Sequence, residues 1–174
     1  LFRLVGSEMC IRDSDSPVFS AATATDSIAE NAATSTQIFD ANSTDEDAGD
    51  TLTYTVAGTD ASLVDIDSST GVVTLKSSAN FETKTSYSFN VLASDGKSSA
   101  TQAVTVSVAN VNEAPTVTSS TAGTVAENAA TSTVIYTAAA SDVDASDTIA
   151  YSVSGTDGSL LNIDTSTGNV TLKT

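Results

Sequence analysis

The 174 residues carry 22 acidic against 6 basic side chains and no His, for a formal net charge of −16, so nucleic acid and anionic membrane surfaces are unsuitable partners. The lack of His also removes the commonest general base and metal ligand, and the single Cys excludes an intrachain disulfide and a thiolate zinc site. Hydrophobic residues make up 40% but aromatics only 5%, and nothing approaches the run of about 18 apolar residues that crosses a membrane, so no membrane insertion by this stretch is expected. Taken in order, residues 1–14 hold the only Cys, the only Met and both Arg, and they match nothing that follows. They read as a foreign or artefactual leader; a signal peptide is the competing reading, against which stand a weak apolar centre and no small-residue cleavage site.

From residue 15 the pattern is that of short strands. Residues 17–28 open the series and residues 36–41 follow the Glu30-Asn31 turn. In residues 51–57, Leu52, Tyr54 and Val56 alternate with Thr51, Thr53 and Thr55, a period of two that puts one set on each face of a sheet. Residues 63–66 and 71–76 flank the turn Asp67-Ser68-Ser69-Thr70-Gly71, where Gly makes a positive φ cheap. Residues 86–94 place Tyr87, Phe89, Val91 and Ala93 on one face, and residues 101–108 close the series. These Tyr and Phe residues, with Phe81 and Tyr151, read as core. Residues 109–115, Ala-Asn-Val-Asn-Glu-Ala-Pro, form a short connector whose proline stiffens it and holds Ala114 extended.

The chain then repeats itself, and this decides the architecture. The octapeptide AENAATST begins at Ala29 and again at Ala126, a shift of 126 − 29 = 97 residues. The same shift carries Asp45, Asp47 and Asp50 onto Asp142, Asp144 and Asp147, and Tyr54 onto Tyr151. Gly58-Thr59-Asp60 recurs as Gly155-Thr156-Asp157, and Val73-Thr74-Leu75-Lys76 as Val170-Thr171-Leu172-Lys173. The expected organisation is a leader over 1–14, a first repeat over 15–112 and the N-terminal part of a second over 113–174, a piece of a longer array. Seven strands in about 100 residues with turn signals between them predict an all-β fold: seven-stranded immunoglobulin-like Greek-key β-sandwich repeats in tandem, the second truncated.

Acidic residues cluster at the strand ends. Asp45-Glu46-Asp47, Asn80-Phe81-Glu82, Val91-Leu92-Ala93-Ser94-Asp95-Gly96 and Asn110-Val111-Asn112-Glu113-Ala114-Pro115, with Glu30 early in the repeat, resemble the calcium-binding pattern of cadherin repeats. Asp65-Ile66-Asp67 with Thr70-Gly71 is similar to the family's Ile-Asp…Thr-Gly hairpin, and the shortened linker is closest to cadherin-like repeats of large bacterial surface proteins. The resemblance implies Ca2+ ions held between successive repeats. It assigns Glu30, Glu82, Asn112, Glu113, Asp142 and Asp144 to one inter-repeat cluster. Asp45, Asp47 and Asp95 are assigned to a site shared with a preceding repeat, and Glu127 to one shared with a following repeat. Calcium takes six to eight oxygen ligands, and two carboxylates 4 Å apart repel by roughly 4 kcal/mol at an effective dielectric near 20, so such a gathering calls for a cation. Asn80 stands where the family carries Asp, which removes a charge, and two ions at the junction fit better than three.

The implied function is a non-catalytic, calcium-stiffened adhesion or spacer array on a cell surface or secreted protein. Its partners would be neighbouring repeats of the same chain, with another adhesin or a cell-surface glycan as further partner. A metal-free immunoglobulin-like spacer is the alternative, and a carbohydrate-binding module a weaker one for want of exposed aromatics. No nucleophile–base pair or phosphate loop is identifiable. Lone acids in turns, namely Asp60, Asp65, Asp67, Asp157 and Asp164, read as solvated carboxylates.

Overall fold

The computed structural model describes residues 14–47 and 49–173. The leader reading thus lies outside the described residues except at Ser14. The chain divides into two compact units, the first closing at Val111 and the second opening at Asn112.

The first unit carries nine strands: β1 (Val18–Phe19), β2 (Thr23–Ala29), β3 (Gln37–Asp40), β4 (Ser43–Thr44), β5 (Thr53–Ala57), β6 (Val64–Ile66), β7 (Val72–Leu75), β8 (Ser86–Ser94) and β9 (Ser99–Ala109). A four-stranded sheet in the order β2-β9-β8-β5 and a three-stranded sheet β3-β7-β6 form the two layers, with β1 and β4 paired beside them. The period of two read in the sequence is realised in β8 and β9, where buried Tyr87, Phe89, Val91 and Ala93 sit beside buried Val104, Val106 and Val108. Ile38 of β3, Val64 of β6 and Val73 of β7 face them from the other layer, each at most 1% exposed. Burying these side chains, each worth about 1.5–3 kcal/mol, drives the closure.

Two features depart from the seven expected strands. The opening segment is two strands: β1 pairs antiparallel with β4, whereas β2 pairs parallel with β9 in the register Thr23 to Ala103 through Ala29 to Ala109. The chain crosses between partners at residues 20–22. There the buried Gln102 Nε2 donates to the Ala21 carbonyl (2.9 Å) and Ala103 N donates to the Ala22 carbonyl (2.9 Å), so the crossing leaves neither group without a bond. The short β4 is positioned by a side chain: Ser43 N donates to Tyr54 Oη (3.4 Å), and the Ser43 Oγ and Tyr54 Oη hydroxyls bond at 3.1 Å.

The second unit carries β10 (Thr116–Val117), β11 (Val134–Thr137), β12 (Ala140–Ser141), β13 (Leu161–Ile163) and β14 (Asn169–Leu172). A three-stranded sheet β11-β14-β13 repeats β3-β7-β6, and β10-β12 repeats β1-β4. Tyr151 Oη again accepts from the short strand, from Ala140 N at 3.1 Å. Residues 113–174 include no counterpart of β8 and β9. Accordingly the segments aligned with β2 and β5 form no strand, although residues 150–154 keep the alternation of β5. Backbone N–H and C=O groups need a ladder partner, and the sequence pattern supplies none by itself. The inner face of this unit is an open cleft of about 400 Å³ lined by residues including Val125, Ile135, Tyr136, Val153, Leu161 and Ile163. Tyr54, Tyr87 and Phe89 are buried as expected and Phe81 packs partly against the core, but Tyr151 is only half-buried, with no counterpart of β8 beside it among the described residues.

Candidate metal centres

In the first unit the loop after β4 turns back on itself because Asp47 N donates to Asp45 Oδ1 at 2.8 Å. The incoming chain is fixed to the same loop, with Asp15 N donating to Asp47 Oδ2 at 2.8 Å. This brings carboxylate oxygens of Asp45, Asp47 and Asp50 within 4.8 Å of one another. Asp45 Oδ2 is buried and has no hydrogen-bond partner among the described residues. An orphaned carboxylate oxygen facing two more carboxylates is costly without a counter-charge, and an all-oxygen donor set of this kind fits a hard divalent cation such as calcium.

Asp95 lies on the turn between β8 and β9. It accepts from Lys97 N and Ser98 N, both at 2.6 Å, and from Ser98 Oγ at 3.0 Å and Ser14 Oγ at 3.4 Å. The backbone bonds from Ser98 and Lys97 bring its pKa down to about 2. Ser98 Oγ also donates to the Asp15 carbonyl (3.4 Å), so Asp95, Ser98 and Asp15 belong to one network at this end of the unit.

Glu30 and Glu82 lie elsewhere in the same unit, with carboxylate oxygens within 4.8 Å of each other. Glu30 is 2% exposed, accepting from Phe81 N through Oε2 and from Val111 N through Oε1, both at 2.9 Å. It therefore ties the end of β2 to two other segments, a structural role the sequence reading did not assign. Glu82 is exposed, and Asn80 turns its Oδ1 to Thr83 N (2.8 Å).

The second unit rebuilds the first loop bond for bond. Asp144 N donates to Asp142 Oδ1 (3.0 Å), and Glu113 N donates to Asp144 Oδ2 (2.8 Å), as Asp15 does to Asp47. Asn112 is exposed and its Nδ2 donates to the Glu113 carbonyl at 2.9 Å. Glu127 is exposed, unlike its counterpart Glu30, and among the described residues nothing stands in for the Phe81 and Val111 N–H groups that Glu30 accepts from.

Two members of these constellations were absent from the expected ligands. Asp50 joins the first trio, and its recurrence as Asp147 in the repeat register was the available signal. Asp15 supplies the amide equivalent to that of Glu113; both lie two residues before a proline, Pro17 and Pro115.

One reading of a turn acid is corrected. Asp60 is not solvated but 6% exposed. Its Oδ2 accepts from Ser88 N (2.7 Å) and its Oδ1 pairs with Lys84 Nζ (2.9 Å), which lies 5.4 Å from the centre of the Tyr87 ring. Burial raises its pKa, but the Ser88 bond and Lys84 outweigh burial and hold it below the usual value. Asp65, Asp67, Asp157 and Asp164 are exposed as expected. Asp67 and Asp164 each close a turn with two backbone N–H bonds, from Thr70 and Ser69 and from Thr167 and Ser166, which lower both pKa values.

The cadherin domain family model matches residues 25–110. The chain is 40% identical over 81 residues to Protocadherin Fat 4 of Homo sapiens, a stretch that is 45% of this chain and 2% of that protein. Among solved structures, human Protocadherin-24 EC1-2 (form II) matches with a TM-score of 0.73 at 23% identity, covering 91% of this chain and 79% of that one. Mouse Cadherin-23 EC22-24 matches with a TM-score of 0.70 at 26% identity, covering 93% and 55%. These likenesses agree with the sandwich just described; the lower-identity one speaks to fold alone.

Proposed function

We propose that the chain, whose residues 25–110 match the cadherin domain family model, is a non-catalytic, calcium-binding adhesion or spacer module of a large extracellular or cell-surface repeat protein. Calcium stiffens it by cancelling the repulsion among gathered acids. The ligands we assign are Asp45, Asp47 and Asp95 in one set, and Glu30, Glu82, Asn112, Glu113, Asp142 and Asp144 in another. Glu127 belongs to a third. Neighbouring repeats of the same protein are its immediate partners. Among the described residues no helix is long and apolar enough to cross a membrane.

The observation that carries this reading is the duplication of one acid loop in both units. Each has an Asp two residues after another Asp, the second donating its N–H to the first, and each has an incoming backbone N–H on the second carboxylate. A duplicated turn with an orphaned carboxylate oxygen is better suited to a cation than to solubility alone. A site with Kd on the order of 10⁻³ M in about 10 mM calcium adds roughly 1.4 kcal/mol of stability. The thermal midpoint in calcium should therefore lie about 5 °C or more above that in chelator. Isothermal titration should show binding of millimolar affinity or tighter. Identical melting in the two buffers with no heat of binding would sink this reading in favour of a metal-free spacer.

A further inference from the structure

Lys97 is placed where a lysine has an unusual neighbourhood. It follows the expected ligand Asp95 by two residues on the β8–β9 turn, and the two 2.6 Å bonds from Lys97 N and Ser98 N to Asp95 Oδ1 fix the turn's shape. From that turn its Nζ reaches Asp50 Oδ2 at 3.0 Å. Asp50 is the third member of the Asp45–Asp47–Asp50 trio, so a tethered ammonium sits on the outer carboxylate of the cluster that holds the orphaned Asp45 Oδ2. The bond to Asp50 raises the Lys97 pKa, with attraction from Asp50, Asp47 and Asp95 acting in the same direction. Among the described residues the other lysine ion pairs are with Asp65 and Asp60, both in the first unit. In the second unit Lys173 donates to the Ser159 carbonyl at 2.9 Å.

We propose that Lys97 is a built-in counter-ion that sets the calcium affinity of the first repeat's acid trio by occupying Asp50. The inference rests on the reading of Asp45 and Asp47 as calcium ligands, beside which the geometry places Asp50. In the cation-free chain the ammonium neutralises part of the cluster's charge. An arriving divalent ion must then displace it from Asp50 or bind with a positive charge close by. Lys97 is exposed, and an exposed pair adds little to folding, so its consequence falls on the ion. Coulomb's law for a unit charge about 6 Å from a divalent ion in water, reduced by screening at physiological salt, corresponds to roughly a three- to tenfold change in affinity.

The test is a residue-resolved NMR titration of the whole chain with calcium chloride, comparing the natural chain with Lys97→Met and Lys97→Arg. The amides of Asp47 and Asp50 report the first loop, and those of Asp144 and Asp147 report the second as an internal reference. Lys97→Met should lower the first midpoint three- to tenfold and weaken its dependence on salt, leave the second midpoint unchanged, and find Lys97→Arg close to the natural chain. Calcium responses with equal first midpoints in the natural chain and Lys97→Met would overturn the role of Lys97 while leaving the calcium reading intact. A response at neither loop in any variant would overturn the calcium reading itself, and this inference with it.

Discussion

Asp95 shows how one carboxylate can shape a loop. Its pKa, held at about 2 by the Ser98 and Lys97 N–H groups, lies below the ordinary carboxylate range. For a depressed acid, the stabilisation is fully present above the unfolded value and is lost as pH falls through the folded one, because the protonated form is a poorer acceptor. Urea unfolding of Asp95→Asn in chelator should therefore differ from the natural chain by a constant amount above about pH 5, and the two should converge between about pH 4 and pH 2. A difference that widens on acidification contradicts this account of the loop. The acids at this end of the unit were legible in the sequence because Asp45 and Asp47 recur in register as Asp142 and Asp144. Asp60 was not. Its tripeptide Gly58-Thr59-Asp60 is repeated as Gly155-Thr156-Asp157, yet Asp60 is buried and Asp157 is exposed. What differs is Ser88 N and Lys84, some 28 and 24 residues further along the chain, and no local reading contains them.

At the scale of elements, the hairpin between β6 and β7 depends on a glycine in each repeat. Gly71 has φ +78, and a Cβ there would collide with the Ala41 carbonyl oxygen; Gly168 has φ +71, and its Cβ would collide with the Ala138 carbonyl oxygen. Each amide bond in this corner is also committed, with Ala41 N donating to the Gly71 carbonyl and Ala138 N to the Gly168 carbonyl. Gly71→Ala should therefore destabilise the first unit by about 2–4 kcal/mol, combining left-handed strain with a backbone clash. Gly96→Ala, at φ +88 with nothing within 4 Å, should cost only the strain, about 1–2 kcal/mol. Chemical denaturation in chelator separates them, and equal midpoints would show that the close approach relaxes without penalty. This turn was readable from Asp67 through Gly71 because both the Asx bonds and the positive φ are local chemistry. The long alternating strands β5, β8 and β9 were readable for the same kind of reason. The division of the opening strand into β1 and β2, and the existence of β4, were not, since two-residue ladders are set by the partner strand rather than by alternation.

At the scale of the whole molecule, identical patterns come to different ends. Leu52, Tyr54 and Val56 recur as Ile149, Tyr151 and Val153, but only the first set lies on or beside a strand, because β5 has β8 to pair with in the register Thr53 to Ser94 through Ala57 to Asn90. In the second unit Val117, Val125, Val134, Val143 and Leu160 are exposed, between 49% and 72%, and among its described large apolar residues Val170 alone is buried, at 6% exposure. Apolar burial at about 25 cal/mol per Å² has to exceed a backbone ordering cost of roughly 1–2 kcal/mol per residue, and five exposed large side chains leave that balance poor. The unit does keep the ladder of β14 with β11 and β13, the Ala138 N–H bond to the Gly168 carbonyl and the Gly168 N–H bond to the Asp164 carbonyl. Amide exchange should therefore rank three classes. Residues 89–91 and 104–106, inside the β8–β9 ladder, should be the slowest. The amides of β14 should be intermediate. Residues 121–126, and 150–154 apart from Tyr151, whose N–H is bonded to the Thr165 carbonyl (2.9 Å), should exchange at least about 10³-fold faster than the slowest class, as expected for segments without ladder partners. Protection of residues 121–126 and 150–154 equal to that of β8 and β9 would contradict the ranking and require that these segments find strand partners in solution.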